Sequence, residues 1–270
     1  MTDDADDSLG ETVRDVEAVR FSGSDAAPRP EHTQVVVEQA VTIRVDDVGD
    51  FTVMCTPRDL RALAVGFAFS EGMITCANDI HLLAACEEDP TAVRLKIRNP
   101  EGASGRNLVV ASSCGMCGSR NVAEVLVRLP RSGDSLRVRP RLLNEVVQEM
   151  GSRQELFAAT GGTHAAAVFD AEGRIVSFGE DIGRHNAMDK AIGKCLLSNE
   201  STAGCGVALS GRVSLELVTK AARAGIELIA AVSAPTSMAV EVARMTGITL
   251  CAFVRDDRAT VYTHPHRVLS

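Results

Sequence analysis

Apolar and polar residues alternate along Val41-Thr42-Ile43-Arg44-Val45 and again along Phe51-Thr52-Val53-Met54-Cys55, with Asp46-Asp47-Val48-Gly49-Asp50 between them. A period of two interrupted by turn residues predicts a β-hairpin with one buried face. The period then changes. Leu60, Leu63, Ala64 and Phe67 recur at helical spacing, Thr56-Pro57 offers an N-cap and a first-turn proline, and Gly72 marks the end, so a helix is expected from Thr56 onward. Val93-Arg94-Leu95-Lys96-Ile97-Arg98 alternates once more, and its basic residues read as an exposed sheet face. Leu108-Val109-Val110-Ala111 is a short apolar strand, and Val122, Val125, Leu126 and Leu129 form a helical stripe. Pro140 starts a further helix with Leu142, Leu143, Val146 and Met150 facing inward.

From Gly161 the rhythm becomes strand and helix in turn. Strands are expected at 164–169, 174–178, 205–209, 226–232 and 248–254, with helices at 186–197, 213–224 and 236–246. This predicts an α/β domain with a largely parallel sheet in three layers. Three segments follow: an acidic tail without periodicity at 1–32, a smaller α+β subdomain at 33–139, and an α/β domain at 140–270.

Composition narrows the class. With 270 residues, 45% of them hydrophobic, the chain can bury a sizeable core. Residues 1–20 carry seven acids against Arg14 and Arg20, a net −5, so of the formal −8 only −3 falls on the remaining 250 residues. A near-neutral body with no Trp and one Tyr argues against nucleic-acid binding. The chain has neither a signal-peptide pattern nor an apolar run of membrane-spanning length, so a cytoplasmic protein is expected.

Chemistry concentrates in Ser113-Cys114-Gly115-Met116-Cys117-Gly118, a CxxC framed by glycines between a strand and a helix. The glycines leave both sulfurs open, and a helix start with Arg120 favours thiolate. Zinc ligation, a redox pair and sulfur transfer all fit this pair. Zinc lacks a second pair of ligands, since His264-Pro265-His266 reads as a solvated end, and a structural disulfide suits a secreted chain better. Cys55, Cys76, Cys86, Cys195, Cys205 and Cys251 are scattered and read mainly as core residues.

Ligands of open α/β sheets bind beyond the carboxyl ends of the strands. Those ends lead into Gly179 to Asn186 (with Arg184, His185 and Asn186), Ser210-Gly211-Arg212, Ser233-Ala234-Pro235-Thr236-Ser237 and Arg255-Asp256-Asp257-Arg258. Hydroxyls, helix-start amides and guanidinium groups suit phosphate oxygens and a guanine edge. His164 invites comparison with zinc deaminases, but Ala166 stands where their proton-shuttling glutamate would be.

These motifs together resemble the FdhD family, the formate dehydrogenase accessory sulfurtransferases. The likeness rests on the CxxC segment, Gly161-Gly162-Thr163-His164-Ala165-Ala166, Glu180 to Lys190, Ser210-Gly211-Arg212, Ser233 to Ser237 and Tyr262-Thr263-His264-Pro265. It implies a cytidine-deaminase-like three-layer αβα core without zinc, and a homodimer. It also implies sulfur passing from a cysteine desulfurase, through a persulfide on Cys114 with Cys117 as partner, to the molybdenum or tungsten bis-guanine-dinucleotide cofactor of formate dehydrogenase. Phe253-Val254-Arg255-Asp256-Asp257-Arg258 matches the family's cofactor-binding segment, and the strand-end residues Ser210, Gly211, Arg212, Ser233, Thr236, His164, Arg184, His185 and Asn186 are expected to join it. The alternative is a chaperone that only binds the cofactor, clamping it with the CxxC.

Overall fold

The computed structural model describes residues 11–23, 27–85, 91–100, 129–270 and the backbone of 108–110. The CxxC, the helix expected after it and Cys86 lie outside the described residues. The alternation at 39–55 produces β3 (Gln39–Val45) and β4 (Gly49–Cys55), antiparallel partners, with Val41, Ile43, Val45, Phe51 and Val53 on the buried face. β5 (Ile80–Ala85), β6 (Ala92–Ile97) and β7 (Leu108–Val110) complete a five-stranded sheet in the order β5-β6-β3-β4-β7. Arg94 and Lys96 face out, Arg94 onto Asp46 at 2.8 Å.

Helix α1 (Leu60–Ser70) covers the buried face, its Phe67 ring 5.3 Å from that of Phe51. It starts four residues after Thr56, because Thr56 is not its cap. Thr56 is fully buried, its amide donates to Asp181 Oδ2 at 3.1 Å and its hydroxyl accepts from Ile182 N at 3.2 Å. Nor has α1 a solvated face of any width. Ala62, Val65 and Gly66 are buried too, against helix α4 (Arg184–Leu197). A Cβ at Gly66 would overlap the carbonyl of Asp189, and one at Gly193 the carbonyl of Ala62, so these two glycines set the helix crossing.

The second sheet contains β8 (His164–Phe169), β9 (Ile175–Asp181), β10 (Gly206–Leu209), β11 (Leu228–Ala231), β12 (Thr249–Arg255) and β13 (Arg258–Thr263), in the order β13-β12-β11-β10-β8-β9. It is mixed rather than largely parallel: β10–β11 and β11–β12 are parallel, and the other three pairings are antiparallel. The reason is the length of the connections. β8 and β9 are joined by a tight turn at Asp170–Gly173, and β12 and β13 by Asp256-Asp257, whose φ angles of 50° and 56° suit a two-residue hairpin turn. Helix α2 (Pro140–Ser152) packs Leu143, Val146 and Met150 on one face of the sheet. Helices α4, α5 (Leu215–Arg223) and α6 (Ser237–Thr246) pack on the other, with Met188, Ile192, Leu217 and Val242 in its core.

The segment expected as an acidic tail is built differently. β1 (Val13–Arg20) pairs antiparallel with β2 (Arg29–Val36) over eight residues each, and this ribbon packs on the short helix α3 (Glu155–Thr160). Val13, Val16 and Ala18 are its less exposed positions; the acids interleaved with them hide the period-two pattern. The chain end is also anchored. His264 Nε2 lies 3.0 Å from Arg244 O, His266 Nε2 2.8 Å from Asp134, and Arg267 is buried.

Candidate functional site

Strands β9, β10, β11 and β12 run in one direction and β8 runs against them. Four carboxyl ends and the amino end of β8 therefore open along one edge. In order across the sheet this rim carries Arg184 after β9, His164 at the start of β8, Ser210-Gly211-Arg212 after β10, Ser233 to Thr236 after β11, and the Arg255–Arg258 turn after β12.

Short contacts fix these loops. Ser210 Oγ accepts from Ala165 N at 2.9 Å and lies 3.5 Å from His164 Nδ1. Gly211 lets His164 and Arg184 converge: a Cβ there would sit 3.2 Å from His164 Nδ1 and 3.6 Å from Arg184 Cδ. Val213 N donates to Ala234 O at 3.1 Å and Thr236 N to Val213 O at 2.9 Å, which stitches the β10 and β11 loops together. The Thr236 hydroxyl caps α6, accepting from Ala239 N at 3.2 Å.

Charge at the rim is positive where the loops converge. Arg212, Arg255 and Arg258 are exposed, and among the described residues Arg184 and Arg212 make no ion pair. Burial, then Arg184 and Arg212, hold the His164 imidazole below its ordinary pKa, so it is neutral at physiological pH. Arg255 and Arg258 face each other across the β12–β13 turn. Asp256 pairs weakly with Arg258 at 3.3 Å in solvent, and Asp257 accepts from Asn144 Nδ2 of α2 at 3.0 Å. Phe253 is exposed at φ 54°, where the β12–β13 register shifts, whereas Val254 is buried in the core and does not reach the rim.

His185 and Asn186 also leave the expected set. Both are buried. His185 Nε2 lies 3.0 Å from Ser214 Oγ and 3.5 Å from Glu216, while Asn186 Nδ2 donates to Met54 O and Asp181 Oδ1, each at 2.9 Å. These contacts tie the start of α4 to β4 and to the start of α5. Val36 and Glu38, which no sequence motif marks, instead line a cleft of about 330 Å³ with His164, Ile182 and Arg184. The one signal for them is Gly162, where a Cβ would come within 2.9 Å of Val36 Cγ1.

The cysteines divide clearly. Cys55, Cys195, Cys205 and Cys251 are buried, and burial pushes Cys55 and Cys251 up to about 12 and Cys205 to about 11. They stay thiols at neutral pH and make poor nucleophiles. Cys76 alone among the described cysteines is exposed. No group of three His, Cys, Asp or Glu side chains suited to a metal ion occurs among the described residues. Nor is any described helix long and apolar enough to cross a membrane.

The FdhD/NarQ family profile matches residues 36–269. The chain belongs to this family. It is 36% identical over 261 residues to the sulfur carrier protein FdhD of Thermoplasma acidophilum, covering 95% of this chain and 91% of the relative. It is 40% identical over 265 residues to the protein of the same name in Burkholderia mallei, covering 92% and 96%. A solved structure of a candidate formate dehydrogenase accessory protein from Desulfotalea psychrophila superposes with a TM-score of 0.78 at 24% identity, covering 96% of this chain and all of that one. This last likeness concerns the fold, in which the FdhD/NarQ chain is a mixed α/β protein with several sheets.

Proposed function

We propose that this chain is a sulfurtransferase serving formate dehydrogenase. Cys114 takes a sulfane sulfur from a cysteine desulfurase, and the molybdenum or tungsten bis-guanine-dinucleotide cofactor, bound along the rim as substrate, receives it. In the first step the Cys114 thiolate attacks the outer sulfur of the donor persulfide, the donor S–S bond breaks, and the donor cysteine leaves as thiolate. In the second, Cys117 attacks Cys114 Sγ, the outer sulfur leaves as sulfide for the metal, and a Cys114–Cys117 disulfide takes up the oxidation. A cellular thiol reductant then restores both cysteines. A CxxC is suited to this because its second thiol supplies the two electrons that turn sulfane sulfur into sulfide.

The observation that carries the reading is the rim, where four strand ends bring Arg184, Arg212, Arg255 and Arg258 to one edge. Guanidinium forks are suited to the phosphates and guanine edges of two nucleotide halves. The name sulfur carrier protein, borne by the relatives, supports the chemistry. We also read the helix–sheet–helix layering as cytidine-deaminase-like, the molecule as a homodimer and its compartment as the cytoplasm.

The test is Cys114→Ala and Cys117→Ala, each assayed separately for cofactor binding and for sulfur transfer. With desulfurase and cysteine supplied, the wild type should gain one reducible sulfur on the Cys114 peptide. Cys114→Ala should lose that sulfur and keep cofactor binding; Cys117→Ala should keep the sulfur and fail to release it. Full transfer by Cys114→Ala, or sulfur on Cys76 instead, would overturn the assignment to Cys114, and a wild type that gains no sulfur while binding the cofactor would be a chaperone.

A further inference from the structure

The cleft under the ribbon brings together groups of opposite hydrogen-bonding sense. Val36 and Ile182 are apolar, Glu38 is an acceptor-only carboxylate, and Arg184 is a donor-only guanidinium. Among the described residues Glu38 makes no hydrogen bond or ion pair, and Arg184 Nε is buried without a partner although the rest of its side chain is partly open. A buried donor left unmatched is costly, and a ligand acceptor would relieve it.

The cleft is built, not incidental to a mobile strand. Glu180, buried, accepts from Leu156 N at 3.2 Å and Phe157 N at 2.8 Å at the start of α3, and from Thr163 Oγ1 at 2.7 Å beside His164. The helix that carries the ribbon is thus tied to the same loop that carries the rim histidine. Val36 then closes on Gly162, where any side chain would collide with it.

We propose that this cleft reads the base of the bound nucleotide, with Glu38 as the residue that selects guanine. Guanine presents N1–H and the 2-amino group as adjacent donors, matched to a carboxylate, and O6 and N7 as adjacent acceptors, matched to an arginine fork. Adenine inverts the first of these edges. Its N1 lone pair would face the Glu38 carboxylate, and its 6-amino group would face Arg184. The volume of about 330 Å³ is enough for a purine base beside Val36 and Ile182, and Arg212, whose charge acts on His164 at the cleft's edge, is left for the phosphates. The inference rests on the rim being a nucleotide site, and it adds the element that distinguishes one base from another.

Titration calorimetry with GDP, IDP and ADP tests it, because IDP differs from GDP only by the missing 2-amino group. Wild-type protein should bind GDP at least tenfold more tightly than either analogue. Glu38→Gln, a change at an exposed position that spares the fold, should weaken GDP at least tenfold and bring GDP and IDP to parity. A Glu38→Gln protein that keeps the wild-type ratio of GDP to IDP, or that loses all three nucleotides equally, overturns the base pocket. If GDP binding in that case still depends on Arg212 and Arg258, only this inference falls; if the wild type binds none of the three, the rim reading falls with it.

Discussion

The start of α4 and the rim beside it use the same kinds of residue to opposite ends. Between Glu180 and Lys190 the carboxylates Glu180, Asp181 and Asp189 and the Lys190 ammonium are buried and matched, Arg184 alone turning to the rim: Asp181 receives Thr56 N at 3.1 Å, Gly183 N at 2.8 Å and Asn186 Nδ2 at 2.9 Å, and it pairs with Lys190 at 2.7 Å. Lys190 donates also to Thr56 O at 3.0 Å and Glu180 O at 3.2 Å. Next to Lys190 in sequence, Asp189 takes Ser70 Oγ at 2.6 Å and Lys220 at 2.7 Å. Burial alone would discharge Lys220, but Asp189 and Glu216 outweigh it and hold its pKa above the ordinary lysine range. At the rim, by contrast, Arg212 stands exposed and without an ion pair among the described residues. A polar segment whose partners all lie within the protein is a joint between the two sheets. One whose partners are missing is a place for something else.

The largest effect that would break this contrast is in the joint. Lys190→Met leaves Asp181 charged and buried with one counter-ion fewer, a loss on the order of 3–5 kcal/mol, a large share of a typical domain's stability. Urea unfolding at neutral pH should show it as a markedly lower midpoint. Replacing Asp181 as well should not restore the midpoint, because the Thr56 and Gly183 amides would then lose their acceptor. A loss below about 1 kcal/mol would place Lys190 among the surface pairs of little consequence.

The sequence makes the joint look like a site and says little of its depth. The strands and helices from 39 to 55 and from 140 onward are legible because each has one buried face and a clear period. Sheet direction is not, since it depends on whether a connection is a crossover or a turn; the hairpin at Asp256-Asp257 reads as a loop until both positive φ angles are seen. The Glu180–Lys190 motif marks residues that need one another without telling whether they face ligand or core, so Arg184 falls at the rim while His185 and Asn186 fall inside. Val36 and Glu38 escape notice altogether, because they fall between the acidic tail and the first alternating strand at Val41, where no period marks a buried face.

The next effect is on binding and sharpens the contrast from the other side. Arg212 on its loop and Arg258 at the first position of β13 are both exposed, so an Arg212→Ala/Arg258→Ala protein should keep the wild-type unfolding free energy in urea to within about 0.5 kcal/mol. Its affinity for GDP should fall at least tenfold, since each lost arginine–phosphate contact removes a charge-assisted hydrogen bond. Calorimetry on the same samples settles both points. Full retention of GDP would remove the rim from the mechanism, and a large loss of stability would make it a second joint.

The smallest effect is electrostatic and concerns His164, which sits between the two classes, half-buried yet facing Arg184 and Arg212. Its folded pKa is lowered by burial first and then by those two arginines, so the unfolded chain binds the proton more readily than the folded one. Stability is therefore full above the unfolded value of about 6.5 and declines as pH falls below it, down to the depressed folded value. Between roughly pH 7.5 and 5.5 the urea midpoint of His164→Gln should drop less than that of the wild type; the remaining histidines are common to both proteins and cancel in the comparison. A bound diphosphate reverses the sign at this site. It offsets the arginines that repel the imidazolium, raises the His164 pKa, and so takes up a proton on binding. GDP affinity should accordingly strengthen on acidification over the same range by less than about tenfold in the wild type, and by less again in His164→Gln. Equal pH profiles for the two proteins, with and without GDP, would move His164 out of the rim and into the joint.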